Sequence, residues 1–266
     1  METSKVMYNT LLGLLKKGKR IDERGLLDYR EIVVKPDISK NAEGSCEVRI
    51  GKTIVAVGVK IDIGEPFTDS PDEGILIVNA ELLPLAYSGF EPGPPGIDAI
   101  ELARTIDRGL RESGFIDLKA LCLEPGKQVY SIFIDIYPLN YDGNLVDASF
   151  LASIIALKRA FLPKIVKEND IWKVEYGEKT KQPLPVSKNI PLMSTVYKLG
   201  ENFFLDASLV EEKASDAKMS IGFTFGKETI INAIQKLGSD TITSEQLKKI
   251  IDLAEKGALH LKKFLI

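Results

Sequence analysis

Three arginines, Arg104, Arg108 and Arg111, share one side of the helix that the periodicity of Asp98 to Arg111 (DAIELARTIDRGLR) predicts. At about 100° per residue, with Arg104 at zero, Arg108 falls near 40° and Arg111 near −20°. Ala99, Leu102, Ile106 and Leu110 fall on the opposite side. The helix therefore buries an apolar face and presents a narrow guanidinium stripe. Guanidinium forks suit phosphate, so the chemistry on offer is polyanion binding. The competing reading is a solvated face, with partial pairing to Glu101, Asp107 and Glu112. Like charges at i and i+4 destabilise a helix by roughly 0.2–0.5 kcal/mol, which something must offset. A polyanion is the natural candidate. Asp98 followed by Glu101 has the spacing of a capping-box-like start.

Other chemistry is sparse. His260, the single histidine, lies in a C-terminal helical pattern beside Leu259 and Leu261, and is read as structural. Glu211, Glu212 and Asp216 could offer oxygen ligands to magnesium. Lys213 and Lys218 stand among them, so a solvated loop is expected there and no metal site. The glycines of Phe90 to Gly96 (FEPGPPG) lie among prolines and make no phosphate-cradling loop. No cofactor is expected. Cys46 and Cys122 have neither metal-ligand spacing nor a disulfide framework, which suits a cytoplasmic protein.

These residues must be positioned by a chain of 266 residues, long enough for one large domain or two small ones. Its 35 basic residues are outnumbered by 38 acidic ones, so it cannot coat nucleic acid indiscriminately. Any such contact must come from a local patch or a partner. Met1 to Lys19 is too polar for a signal peptide, and no apolar run could span a bilayer. Met7, Leu11, Leu12, Leu14 and Leu15 predict an amphipathic helix ending before Gly18. Strands are expected at Arg30 to Pro36, Gly44 to Ile50, Thr53 to Ile61, Gly74 to Leu82 and Val129 to Leu139, with a tight turn at Gly51-Lys52. A helix then runs through about Leu162. Pro163 to Pro191 is charged and proline-rich, and reads as an excursion between two halves. Strands follow at Leu192 to Lys198, Phe203 to Asp206, Met219 to Gly226 and Thr229 to Lys236. Thr243 with Gln246 caps a final helix. Strands then helix, twice, points to an α/β (α+β) fold with two duplicated βαβ-type halves. The expected organisation is a helix at 1–18, a first half at 19–165, a connection at 166–190 and a second half at 191–266.

Most of the chain resembles the RNase PH family, and within it the non-catalytic ring subunits of archaeal exosomes. The segments that carry this are GKRIDERGLLDYR (Gly18 to Arg30), EGSCEVRIGKTIVAVGVK (Glu43 to Lys60), ELLPLAYSGFEPGPPGIDAIELARTIDRGLR (Glu81 to Arg111) and LPVSKNIPLM (Leu184 to Met193). The resemblance implies an RNase PH-like fold and places Arg104, Arg108 and Arg111 on a helix facing RNA. Active members bind phosphate with a loop of glycines, hydroxyls and an arginine. The aligned stretch here is Asp142-Gly143-Asn144-Leu145-Val146-Asp147. Leu145 and Val146 have no side-chain donors, and an ionised Asp147 repels phosphate. Active members also carry two acidic residues where this chain has Glu212 and Lys218. Two losses in one expected pocket imply a silent subunit. The implied partners are a catalytic sister forming heterodimers and a hexameric ring, RNA-binding cap subunits, and single-stranded RNA degraded from its 3′ end. Arg111 is the weakest of the three RNA contacts, with a structural carboxylate pairing as its other use. An active phosphorolytic exoribonuclease and a stand-alone RNA-binding module remain as alternatives.

Overall fold

A computed structural model describes residues 4–265, apart from the side chains of residues 176–179. In chain order the elements are α1 (Lys5–Leu15), β1 (Ile32–Pro36), β2 (Gly44–Ile50), β3 (Thr53–Gly64), β4 (Ile75–Ala80), α2 (Ile97–Arg111), β5 (Cys122–Glu124), β6 (Gln128–Asn140), α3 (Leu145–Lys158), β7 (Phe161–Glu168), β8 (Ile171–Pro183), β9 (Ile190–Leu199), β10 (Asn202–Leu205), α4 (Leu209–Ala214), β11 (Ala217–Phe225), β12 (Thr229–Gly238) and α5 (Ser244–Leu261). The first sheet runs β1-β2-β3-β6-β4, with β5 against the start of β6. Strict alternation builds it. Val55, Val57, Val59 and Ile61 of β3 are buried, while the residues between them are half-buried, so one face meets the core. The expected tight turn joins β2 to β3, with Ile50 opposite Thr53.

The second sheet, β10-β9-β11-β12, is antiparallel throughout. Each half contains one βαβ crossover. β4 and β6, joined through α2, are parallel neighbours. β10 and β11, joined through α4, are both antiparallel to β9 and so run parallel to each other around it. Helix α3 fills the space between the sheets, packing on β2, β3 and β9. Every residue from Leu145 to Leu157 is buried, which explains why this helix is apolar all round. Helix α5 also packs on β9, which is buried from Pro191 to Leu199.

Three expectations need correction. The helix expected to reach Leu162 stops at Lys158, because Phe161 begins a paired strand. The region from Pro163 to Pro191 is mostly a hairpin, β7–β8, so the boundary expected at 165/166 falls inside a strand. Its prolines do not prevent this: the register shifts on either side of Pro163, and Pro183 closes β8. The loop expected around Glu211 contains α4, started by a capping box between Ser208 and Glu211. Helix α1 adds a long-range tie. Its Leu11 and Leu15 are buried beside Tyr197, Leu199 and Phe204 of the second half. Residues 1–3 of the expected 1–18 segment lie outside the described residues.

Candidate functional site

The segment after α1 carries three arginines that converge on the second half. Arg20, fully buried, pairs with Glu211 and donates to the carbonyls of Leu205 and Asp206 at 2.7 and 2.8 Å. Arg24 and Arg30 both pair with Asp206, at 2.9 and 2.7 Å. Burial works against the Asp206 carboxylate, but Arg30, by hydrogen bond and by charge, holds it below the usual carboxylate range. Arg30 also donates to the carbonyls of Asp142 and Gly143. Thr53 Oγ1 donates to Gly143 O at 2.6 Å and accepts from the Asp142 N–H at 3.2 Å. Gly143 has φ +87°, and a Cβ there would lie 2.4 Å from Ala207 O. The clamp and the glycine press residues 142–144 against residues 206–209 and fix the start of α3.

Asn144 is fully buried at that start, in the left-handed region at φ 58°. Its side-chain amide donates to Asp147 and Asp206 at 3.1 and 3.0 Å. Asp147 points into the packed interior, accepting from Tyr29 and Thr195 hydroxyls at 2.8 Å each. The expectation that Asp147 repels phosphate from within the pocket is therefore corrected: its carboxylate belongs to a buried hydroxyl network. Burial raises its pKa to about 7, against the lowering effect of the Thr195, Tyr29 and Asn144 hydrogen bonds.

Leu145, Val146, Glu212 and Lys218 do come together. They line one cavity of about 520 Å³ with Tyr87, Phe90 and Tyr141 and with Asp98, Glu101 and Thr105 of α2. Glu212 is the organising group. One carboxylate oxygen accepts the Asn144 N–H at 2.8 Å, and the other pairs with Lys218 Nζ at 2.8 Å. A helix N-terminus attracts anions, and here an anion of the protein itself is already there. Burial opposes the Lys218 charge, but Glu212, aided by Glu101 and Asp98, raises its pKa overall. The pocket thus holds an internal anion and an internal cation. The other carboxylates of the expected loop diverge. Glu211 goes to Arg20, and Asp216 accepts from Tyr8 OH and the Gly200 N–H at 3.1 and 2.7 Å.

Next to this cavity, Arg104, Arg108 and Arg111 border a smaller cleft of about 160 Å³ with Asp107, Glu112 and Gln235. All three arginines are exposed, and Ala99, Leu102, Ile106 and Leu110 are buried on the other side of α2. Arg111 pairs with Asp107 at 2.7 Å and donates to Leu76 O at 2.9 Å. Among the described residues, the side chains of Arg104 and Arg108 have no hydrogen bond or ion pair. Asp98 is not the cap: the helix begins at Ile97 after Gly96, leaving Asp98 in the first turn. There its charge suits the helix dipole, as Arg108 and Arg111 do in the last turn. Part of the offset expected from a polyanion is thus supplied inside the chain, by Asp107 and the helix end. His260 stacks on Tyr29, with centroids 5.3 Å apart, away from this cavity.

The first domain of the 3′ exoribonuclease family, RNase PH, matches residues 28–163, and its second domain matches residues 189–257. The chain belongs to the RNase PH family. It is 43% identical over 257 residues to the exosome complex component Rrp42 of Thermococcus onnurineus, covering 97% of this chain and 93% of that one. The Rrp42 component of Methanocella arvoryzae is also 43% identical, with 96% and 94% covered. Among solved structures, a chain of the Archaeoglobus fulgidus exosome with RNA bound to the active site superposes with a TM-score of 0.87, at 38% identity and 98% coverage of both chains. The fold is accordingly RNase PH-like. Leu145, Val146, Glu212 and Lys218, which the resemblance led one to expect in one pocket, do share a cavity, with Asp147 withdrawn from it. The clamp of Arg20, Arg24, Arg30 and Asp206 escapes sequence reasoning. GKRIDERGLLDYR has no periodicity, and Asp206 and Glu211, the carboxylates it clamps, lie more than 170 residues downstream. Helix α4 was detectable from Ser208 and Glu211 at capping-box spacing.

Proposed function

We propose that this chain is a non-catalytic subunit of an exosome ring, which binds and positions single-stranded RNA for 3′-to-5′ phosphorolytic degradation by a catalytic sister subunit. One contrast carries the reading: Arg104 and Arg108 are exposed and unpaired beside a pocket whose Glu212 and Lys218 neutralise each other. Phosphate would meet Glu212 at the start of α3, with Leu145 and Val146 offering no side-chain donor. A divalent cation would meet the Lys218 ammonium. The arginines contact backbone phosphates without reading bases, so binding is largely independent of sequence. In this reading, heterodimers with the sister close a hexameric ring in the cytoplasm, and RNA-binding caps sit on one face. The Rrp42 names of relatives covering nearly the whole chain support it.

The test is reconstitution. Mixing the purified chain with a catalytic sister should give a species of about six chains in equal amounts, as closed symmetric assembly requires. Phosphate-dependent nucleotide release should appear only in the mixture. Release by the isolated chain would instead support the active-enzyme alternative. A chain that stays monomeric beside the sister would support a stand-alone RNA-binding module. Full activity of the sister alone would also overturn the proposal.

A further inference from the structure

Among the described residues, Gln235 is the only side chain of the second half that lines the arginine cleft. It lies on β12 in the alternation phase of Ala233, which is buried, and Leu237, which lines the larger cavity. It is half-buried, and among the described residues its amide has no hydrogen-bond partner. Around it stand three guanidiniums, which only donate, and two carboxylates, which only accept. Asp107 is already engaged by Arg111. Among the described residues, the Gln235 amide is therefore the one side chain lining the cleft that both donates and accepts without carrying charge. Arg104 and Arg108 offer the cleft two unpaired forks for a phosphate. The cleft, of about 160 Å³, has room for a phosphate with part of its sugar.

We infer that Gln235 is a specificity residue for RNA over DNA, its amide hydrogen bonding the 2′-hydroxyl of the nucleotide whose phosphate Arg104 and Arg108 hold. The 2′-hydroxyl both donates and accepts, and it is the group by which a protein tells RNA from DNA. A charged residue at position 235 could match only half of it. The inference rests on reading the cleft as a phosphodiester site.

The experiment compares binding of one sequence, as single-stranded RNA and as DNA, by the full chain assembled with its catalytic sister. The sister contributes alike to every variant, so the ratio of variant to wild type isolates the cleft. Gln235→Ala should weaken RNA binding roughly three- to tenfold, the worth of one neutral hydrogen bond, and leave DNA binding unchanged. Arg104→Glu with Arg108→Glu should weaken both. Equal losses on RNA and DNA for Gln235→Ala, or no loss, overturn the role of Gln235 and leave the cleft standing. If the arginine variant weakens neither, the phosphodiester reading fails as well. A second measurement needs no destabilising change. In RNAs with one 2′-deoxy sugar placed at successive positions, one position should cost the wild type that factor and cost Gln235→Ala nothing. A flat scan on the wild type also overturns the inference.

Discussion

Asp147 shows how one residue can be visible in a sequence while its role is not. A carboxylate in place of a phosphate-binding hydroxyl reads as repulsion, yet the chain turns it inward, where Tyr29, Thr195 and Asn144 all donate to it. Its pKa is raised by burial from 3.8 to about 7. Between those values the folded protein holds a proton that the unfolded chain releases. Stability from this group is therefore fully present below about pH 4 and is lost as pH rises to about 7. Asp206 and Glu211, whose pKa values are held down by arginines despite burial, act in the opposite sense at lower pH. Denaturant unfolding of Asp147→Asn from pH 4 to 8 should lack the decline that the wild type shows up to pH 7. Identical pH slopes in the two proteins would mean that Asp147 is ionised throughout.

At the scale of elements, α2 separates its two tasks by face. Leu102, Ile106 and Leu110 hold it against the sheet and α3, so the arginine side can change without loosening the helix. Replacing Arg104 and Arg108 with Glu should leave assembly intact and weaken RNA binding and degradation by the complex. Each phosphate contact to a single strand contributes roughly 0.7 to the slope of log affinity against log salt, so the slope should flatten by about 1.4. An unchanged slope, measured by titration at several salt concentrations, would return the stripe to a solvated face. Such elements were legible because their cause is local. The period of α2, the alternation of β3 and the Thr243–Gln246 cap are all written within a few residues. The β7–β8 hairpin was not, because mixed charge and prolines mask its pairing. Nor was the Glu212–Lys218 pair recognisable as a pair, since alignment presents the lysine only as a missing acid.

At the scale of the molecule, the two halves share one core. Residues of β2, β3 and β6 belong to the same buried cluster as residues of β9 and β11, with α3 between them. Helix α1 and the arginine clamp then tie the beginning of the chain to its last third. Neither half can expose its inner face without stripping the other, so the chain should unfold in a single transition despite its two family domains. Scanning calorimetry would measure this through equal calorimetric and van't Hoff enthalpies; two resolved transitions would show that the halves are independent. The Glu212–Lys218 pair bears on which substitutions such a molecule tolerates. Removing one partner of a fully buried ion pair costs about 3 kcal/mol or more, and somewhat less here, where Lys218 keeps some solvent contact. Exchanging either residue alone would strand the other's charge in the pocket before anything is gained. The pair works as a latch: each charge is held in place by the other, so the two residues can change at low cost only together.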